Sequence, residues 1–286
     1  MRIGFAAIPY DKKLLPVTSK ESARLTMERL DRVAKYVYGL GIDFYRIPAN
    51  ISPWDDLESL EESRDEIMKL GDLFRKLRIR TCFHATYYCI LNSPKPEVID
   101  KAIKELRCLS LYDQISGGGN HIEIHAGGVY GDRAGSMDRF IRNVLRLDER
   151  IFKMLRLENE EHSGKLGTVD ELRHIHRETG IPLLFDIAHY RVNPLEDNIP
   201  ARELVASFLE TWKTANTFPD LHYSTVEGGR GTHLPIDPDD FWKFIDSLCG
   251  LEFDVMLETK EKERDVLKVK DHKKDNTCLQ ASSFRI

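Results

Sequence analysis

The segment MLRLENEEHSGKLGTVDELRHIHRETGIPLLFDIAHY, residues 154–190, decides the fold. It starts with a short apolar run (154–159), continues with helical apolar spacing over 168–178 and returns to an apolar run (182–187). Thr168 is predicted to cap this helix at its N-terminus and Gly180 to end it. Strands that are apolar on both faces are typical of parallel sheets covered by helices. The segment therefore predicts a strand–helix–strand unit.

The same alternation extends along the chain. Eight short apolar runs occupy 2–8, 43–49, 79–85, 121–127, 154–159, 182–187, 221–226 and 254–259. Helical spacing is found over 21–40, 61–77, 97–111, 136–150 (with Ser136 as a predicted cap), 168–178, 201–213 and 238–248. This pattern predicts an α/β protein, a single-domain (β/α)₈ TIM barrel over 1–267. An open doubly wound sheet is the alternative that periodicity leaves open. The polar tail 268–286 has neither pattern and is predicted to be disordered.

Composition restricts the classes of function. The chain has 286 residues and a net charge of −5, so any contact with nucleic acid must come from a local basic patch. Its five cysteines form no CxxC pair, which argues against a disulfide framework or a zinc knuckle. No apolar run is long enough to span a membrane, and the N-terminus MRIGFAAIPY does not resemble a signal peptide. We expect a cytoplasmic protein.

Ionisable side chains follow six consecutive predicted strands, from the third to the eighth. In chain order they are His84, His125, Glu158, Asp186 with His189 just after it, Asp220 and His222, His233 in the following loop, and Glu258. A lone histidine at a strand end is more often a hydrogen-bonded core residue than a ligand. Nine possible ligands that converge on the C-terminal rim of a barrel, where barrel active sites lie, indicate a functional site.

This rim predicts a centre with more than one metal ion. Few Lys or Arg residues accompany the four carboxylates, so the rim would be strongly repulsive without added cations. Mixed imidazole and carboxylate ligands suit Zn²⁺, Mn²⁺ or Fe²⁺, and nine candidates exceed what one ion can bind. Two or three ions are therefore predicted, with Glu158 and Asp186 as candidate bridging carboxylates.

The chain resembles the UV damage endonucleases from its N-terminus to about residue 265. The resemblance is carried by HATYY (84–88), HAGGVYGDR (125–133), RLEN (156–159), DIAHY (186–190), LHYS (221–224), GTHLPID (231–237) and VMLETKEKE (255–263). It implies a TIM barrel that is related to the endonuclease four type of apurinic-site endonucleases and holds up to three divalent ions, usually manganese. It also implies cleavage of DNA immediately 5′ of cyclobutane dimers and 6-4 photoproducts, leaving a 3′-hydroxyl. The ligands it implies are His84, His125, Glu158, Asp186, His189, His222, His233 and Glu258.

The sequence departs from this family at four places. Asp220 stands where some members have a carbamylated lysine, and we expect it to supply that carboxylate. Phe5 replaces a tyrosine of the first strand. The histidine expected after the second strand is missing from ISPWDDLESL, where Asp55 or Asp56 could substitute. The Gln–Tyr pair that probes the lesion is here Tyr87–Tyr88.

Two sets of residues are predicted to contact DNA. Tyr87 and Tyr88 could insert into the duplex and stack on unpaired bases, each stack contributing about 1–3 kcal/mol. The alternative is a buried pair with satisfied hydroxyls. Basic side chains on the rim would bind phosphates, although each could instead be an ordinary solvated charge. The candidates are Arg133, Arg191, Arg230 and Lys260, with Lys262 and Arg264 on the flank.

Together these features predict a metal-dependent DNA repair endonuclease that nicks damaged duplex DNA, with abasic sites as a further candidate substrate. Its catalytic residues would be Glu158, Asp186, His222, Glu258 and Lys260. Mn²⁺ is the expected ion, with Zn²⁺ and Mg²⁺ as alternatives. We expect a monomer without an obligate protein partner, associated with the nucleoid when it is bound to DNA. The alternative functions are a sugar isomerase of the same barrel group, against which five rim histidines argue, and a non-catalytic DNA-binding barrel.

Overall fold

Eight short parallel strands close into a barrel. The computed structural model describes residues 1–6, 8–10, 23–49, 57–194, 199–215, 217–227 and 230–275. The barrel strands are β1 Ile3–Ala6, β2 Phe44–Ile47, β3 Arg80–His84, β4 Ile122–His125, β5 Leu155–Glu158, β6 Leu183–Asp186, β7 Asp220–Tyr223 and β10 Asp254–Leu257. Their order around the barrel is β1-β10-β7-β6-β5-β4-β3-β2. Because β1 pairs with both β2 and β10, the sheet is closed. The predicted barrel is thus confirmed and the open sheet is excluded.

Helices surround the barrel. They are α1 Ala23–Gly39, α2 Leu57–Glu62, α3 Arg64–Lys76, α4 Pro96–Ser116, α5 Arg133–Val144, α6 Glu149–Met154, α7 Val169–Thr179, α8 Ile187–Val192, α9 Ala201–Glu210, α10 Pro238–Ser247 and α11 Glu263–Asp275. Each longer helix buries one apolar stripe against the strands, as α1 does with Leu30, Val33 and Val37. None of the described helices is both long and apolar enough to cross a bilayer.

The caps of two helices test the local predictions. Thr168 caps α7 in a capping box with Glu171, and Gly180 ends that helix in the left-handed region at a φ of 77°, both as predicted. The prediction for Ser136 was wrong. Asp132 caps α5 by accepting a hydrogen bond from the backbone N–H of Gly135. Ser136 lies inside the helix, and its hydroxyl donates to the carbonyl of Val129, which precedes the helix.

Two segments that were predicted to lack regular secondary structure contain a helix and a hairpin. The predicted boundary at 267 falls inside α11, so the expectation of no helix beyond it was wrong for 268–275. Val266 and Val269 are buried and anchor this polar helix, whose Val269 carbonyl accepts a hydrogen bond from Trp242 Nε1. The predicted loop after the seventh strand contains an antiparallel hairpin, β8 Thr225–Glu227 and β9 Arg230–Leu234. The rest of the predicted tail, 276–286, lies outside the described residues.

Charged side chains fill the barrel below its C-terminal rim. Arg80 donates to Asp220 at 2.6 Å and to Asp254 at 2.7 Å, and Asp254 also accepts from the backbone N–H of Arg2 at 2.7 Å. The carboxylates of Asp220 and Asp254 are almost fully buried. Buried charges persist when they are paired in this way. The layer forms a rigid, polar floor under the rim.

Candidate metal centre

The first group of possible ligands combines the ends of three neighbouring strands. His84 ends β3, His125 ends β4 and Glu158 ends β5. Glu158 Oε2 lies 3.0 Å from His84 Nε2 and 3.7 Å from His125 Nε2. One possible ligand atom from each of the three lies within 4.8 Å of the others. These three side chains can therefore bind one ion together.

The second group contains Glu158, Asp186, His222 and Glu258, whose ligand atoms also lie within 4.8 Å of one another. His222 Nδ1 lies 3.0 Å from Glu158 Oε1, 3.3 Å from Glu258 Oε1 and 3.8 Å from Asp186 Oδ2. Glu158 belongs to both groups, with Oε2 towards the first and Oε1 towards the second. This is the position expected of a carboxylate that bridges two ions.

His189 and His233 lie beside these groups. The ring of His189, on α8, is 5.7 Å from that of His125, and its Nδ1 is 2.9 Å from the carbonyl oxygen of Asn159. His233, on β9, places its Nδ1 3.6 Å from Glu258 Oε2. Both histidines therefore flank the centre, although neither is in the tight groups found among the described residues.

Asp220 lies deeper than the other predicted ligands. It starts β7, two residues before His222, and the two side chains share a face but stand in successive layers, about 7 Å apart along the strand. Its carboxylate is ion-paired with Arg80 and lies 3.5 Å from His121 Nε2. It could share an ion with Glu123 and His222, but it is outside both rim groups.

The sequence prediction missed two charged residues of the site, Arg46 on β2 and Glu123 on β4. Arg46 Nη1 lies 3.1 Å from Glu123 Oε2, forms an ion pair with Glu258 and is 3.5 Å from His222 Nε2. Arg46 is thus a cationic neighbour of the carboxylates that the sequence prediction did not name. Both residues were visible as charges inside apolar strand runs. Such charges must be paired when they are buried, and this was the signal that could have found them.

The donor atoms perturb one another's protonation. Burial alone would lower the pKa of His189, but the carboxylates of Asp186 and Glu158 outweigh burial and raise it to about 9. The pKa of His222 is likewise well above its usual range, because Glu158, Glu123 and Glu258 outweigh burial. Burial lowers the pKa of His125 to about 4. The centre thus concentrates negative charge that attracts protons or metal cations.

Unsatisfied buried atoms show that the residues fit metal ions. Asp186 Oδ2 and the Nδ1 atoms of His125 and His233 are buried and have no hydrogen-bond partner among the described residues. Burial also raises the pKa of Asp186, and Glu158 and Glu258 add to that effect. A carboxylate oxygen and imidazole nitrogens in this state are suitable ligands for first-row divalent ions.

The two rim tyrosines are exposed. Tyr87 and Tyr88 follow β3, and each keeps 75% of its surface accessible, so the alternative of a buried pair is wrong. The Tyr87 ring lies parallel to that of His125 at a centroid distance of 6.4 Å, and the Lys165 ammonium lies 5.7 Å from the Tyr87 centroid. Tyr87 and Tyr130 border a recess of about 270 Å³ next to the ligand groups.

The predicted phosphate-binding residues differ in their surroundings. Arg133 is bound to Glu171 and to the carbonyls of Ser163 and Lys165, which occupies its donors. Arg191 pairs with Asp240 at 2.9 Å. In contrast, Lys260 is exposed in the turn after β10, and its backbone N–H donates to the His233 carbonyl at 3.2 Å.

The remaining predicted residues are placed as follows. Lys262 is half-buried in the same turn, with a φ of 54°. Arg264 lies over the ring of Tyr10, 3.5 Å from its centroid. Phe5 is buried against Tyr45. Arg230 lies in β9, but its side chain is not among those described, and Asp55 and Asp56 lie outside the described residues.

Comparison with known proteins identifies the family. A family model described as UV-endonuclease UvdE matches residues 12–282. The chain belongs to the UV-endonuclease family. It is 29% identical over 255 residues to the UV DNA damage endonuclease of Bacillus velezensis, covering 83% of this chain and 77% of that protein. It is 26% identical to that of Clostridium perfringens, covering 100% and 74%. The predicted family is confirmed, and this UV endonuclease is an enzyme of UV-damage repair.

Solved structures agree with this assignment. The crystal structure of SacUVDE superposes with a TM-score of 0.84 at 26% identity, covering 96% of this chain and 98% of that chain. Endonuclease IV from Thermus thermophilus, at 15% identity, and a 3-keto-D-glucoside 4-epimerase from E. coli, at 11%, give TM-scores of 0.60 and 0.63. These two likenesses concern the fold alone. Family membership favours an endonuclease over the isomerase and the non-catalytic barrel.

Proposed function

We propose that this UV endonuclease is a metal-dependent enzyme that hydrolyses the phosphodiester immediately 5′ of UV photolesions in duplex DNA. The observation that carries the proposal is the pair of ligand groups that share Glu158 on the rim, beside the exposed Tyr87, whose ring lies parallel to that of His125. The damaged strand is divided into two fragments. The upstream fragment ends in a 3′-hydroxyl, and the fragment that contains the lesion begins with a 5′-phosphate. Water supplies the new oxygen on phosphorus, and the departing 3′-oxygen takes up a proton.

Two or three divalent ions fit the donor atoms. His84, His125 and Glu158 would hold one ion, and Glu158, Asp186, His222 and Glu258 a second. His189 and His233 border these groups and would complete the coordination. Ions bound there would activate water near neutral pH and neutralise charge on the phosphate and on the leaving oxygen. We propose Mn²⁺, because mixed imidazole and carboxylate ligands suit it, as they do Zn²⁺.

The chain's own residues bind and orient the DNA. Lys260, exposed two residues after Glu258, can reach a phosphate that sits on the ligand groups. Arg46 holds the carboxylate of Glu258 by an ion pair, which fixes its direction. Tyr87 and Tyr88 can fill the space left when the damaged nucleotides leave the stack, a step that costs less at a lesion than at an intact pair.

The test is incision of a labelled duplex that carries one cyclobutane dimer. Protein stripped with a chelator receives Mn²⁺, Zn²⁺ or Mg²⁺ separately, and the product length gives the position of the cut. We expect no product without metal, a single product ending immediately 5′ of the dimer with Mn²⁺, and extension of that product by a polymerase. An undamaged duplex and one with an abasic site serve as comparison substrates. Cutting in the presence of the chelator, or cutting at scattered positions, would refute the proposal.

A further inference from the structure

Both ring nitrogens of His222 face carboxylates, and the two carboxylate sets differ. On one side Nδ1 faces the second ligand group, 3.0 Å from Glu158 and 3.3 Å from Glu258. On the other side Nε2 lies 3.3 Å from Glu123 Oε2. Because Glu123 is outside both rim groups, the ring of His222 connects the ligand groups to a residue that lies behind them.

Another histidine of the centre has an acceptor behind its ring. His84 Nδ1 lies 2.7 Å from the carbonyl of Ala85, while its Nε2 lies 3.0 Å from Glu158 Oε2. A carbonyl oxygen only accepts, so His84 Nδ1 donates an N–H. The opposite nitrogen, Nε2, is then left as a possible ligand. Histidines that bind metals are commonly oriented in this way by an acceptor behind the ring.

We infer that Glu123 is a positioning residue for His222. Its carboxylate accepts the Nε2–H of His222 and thereby directs Nδ1 towards Glu158, Glu258 and the ion they hold. This inference rests on the proposed metal centre. It assigns to a side chain the role that the backbone carbonyl of Ala85 has at His84.

Glu123 is itself held firmly. It is fully buried on β4, two residues before His125. Its Oε2 accepts from Arg46 Nη1 at 3.1 Å, and its Oε1 accepts from His121 Nε2 at 3.2 Å. The Arg46 guanidinium also lies 3.5 Å from His222 Nε2, so a cation bound on this side of the ring would be repelled. Glu123 is thus placed to orient His222, and direct binding of an ion by Glu123, Asp220 and His222 is the alternative that the test separates by the number of ions at saturation.

The test uses Glu123→Gln, which keeps an acceptor oxygen, and Glu123→Leu, which removes it. The control is Asp113→Asn, another buried carboxylate, which accepts from Asn120 at the opposite end of β4. The affinity and stoichiometry of Zn²⁺ are measured by chelator competition. We expect Glu123→Leu to weaken the affinity of one ion about 10–100-fold while saturation still reaches the wild-type number of ions. Glu123→Gln should lose less, and Asp113→Asn should bind as wild type does.

Nitrogen NMR of the Zn²⁺-loaded protein adds a readout that a purely structural role would not change. The ring-nitrogen signals of His222 are assigned by their absence in His222→Gln. In the wild type the ring should carry its proton on Nε2, and in Glu123→Leu it should no longer be fixed in this tautomer. If Glu123→Leu does not fold, the same comparison is made with Glu123→Met, which also removes the acceptor oxygen. Unchanged Zn²⁺ affinity in a folded variant without the acceptor, a proton on Nδ1 in the wild type, or one ion fewer at saturation would overturn the inference. A wild type that binds no Zn²⁺ would instead overturn the metal centre itself.

Discussion

Replacing the two rim tyrosines should weaken binding to damaged DNA and leave the metal centre intact. Each ring is 75% exposed, so little packing is lost and the free energy of unfolding should change by less than about 0.5 kcal/mol per substitution. If each ring stacks on one unpaired base, Tyr87→Ala/Tyr88→Ala loses about 2–6 kcal/mol of binding. At 1.4 kcal/mol per factor of ten, that is a loss of roughly 30-fold to more than 10⁴-fold in affinity.

The two single variants should differ. The Tyr87 ring also lies parallel to His125 and under the Lys165 ammonium, so it is held in place before DNA binds. Such preorganisation reduces the ordering cost on binding. Tyr87→Ala should therefore lose more affinity than Tyr88→Ala. Tyr38→Ala, which removes a 57% exposed ring from α1, is the matched control. It should change the affinity for neither damaged nor undamaged duplex DNA.

The assay is a pair of anisotropy titrations with damaged and undamaged duplex at fixed salt, together with metal analysis of each variant. Binding to undamaged DNA depends on phosphate contacts and falls with salt, so it should change less. Equal losses on both duplexes, or no loss on either, would refute the stacking role. A lower metal content in the double variant would show that Tyr87 acts through His125 instead of through the DNA.

Three further variants probe the centre. Arg46→Met should destabilise the metal-free protein by about 3–5 kcal/mol in urea unfolding, because Glu123 and Glu258 lose a buried partner; a loss below 1 kcal/mol would contradict this. In metal-free protein, the raised pKa of His189, about 9, adds stability that is fully present below the unfolded pKa of about 6.5 and is lost as pH rises through 9. The advantage of the wild type over His189→Gln in unfolding should therefore shrink by up to about 3 kcal/mol across that window. Glu158→Ala should lose more than one ion in metal analysis after gel filtration, and an unchanged count would remove Glu158 from the centre.

The sequence predicted the barrel and its rim because both depend on local patterns. Continuous apolar runs specify strands that are covered on both sides, and parallel strands in a closed barrel end on the same rim. This is why His84 and His125, which lie far apart from Asp186 and Glu258 in the chain, could be expected near them.

Depth inside the barrel could not be predicted in the same way. Asp220 and His222 lie on one face of β7, but strand alternation does not say which layer reaches the rim. Arg46 and Glu123 were included in apolar runs without regard to the face on which they lie. Their pairing depends on the register between β2, β3 and β4, which only the closed barrel fixes. Helix α11 was missed because its few apolar residues gain their role from packing on α10.

The most direct test of a metal-dependent UV endonuclease measures bound metal and incision in the same samples. Stripped wild type and Glu158→Gln are titrated with Mn²⁺, and ions per chain and the initial rate of cutting a single-dimer duplex are recorded at each point. We predict that the wild-type rate rises with occupancy of the two ligand groups, and that the variant has lower occupancy and a rate reduced at least 100-fold, on the order of 3 kcal/mol of transition-state stabilisation. Cutting at the full rate by wild type without bound metal, or by the variant without its ions, would contradict the assignment of the chemistry to this centre.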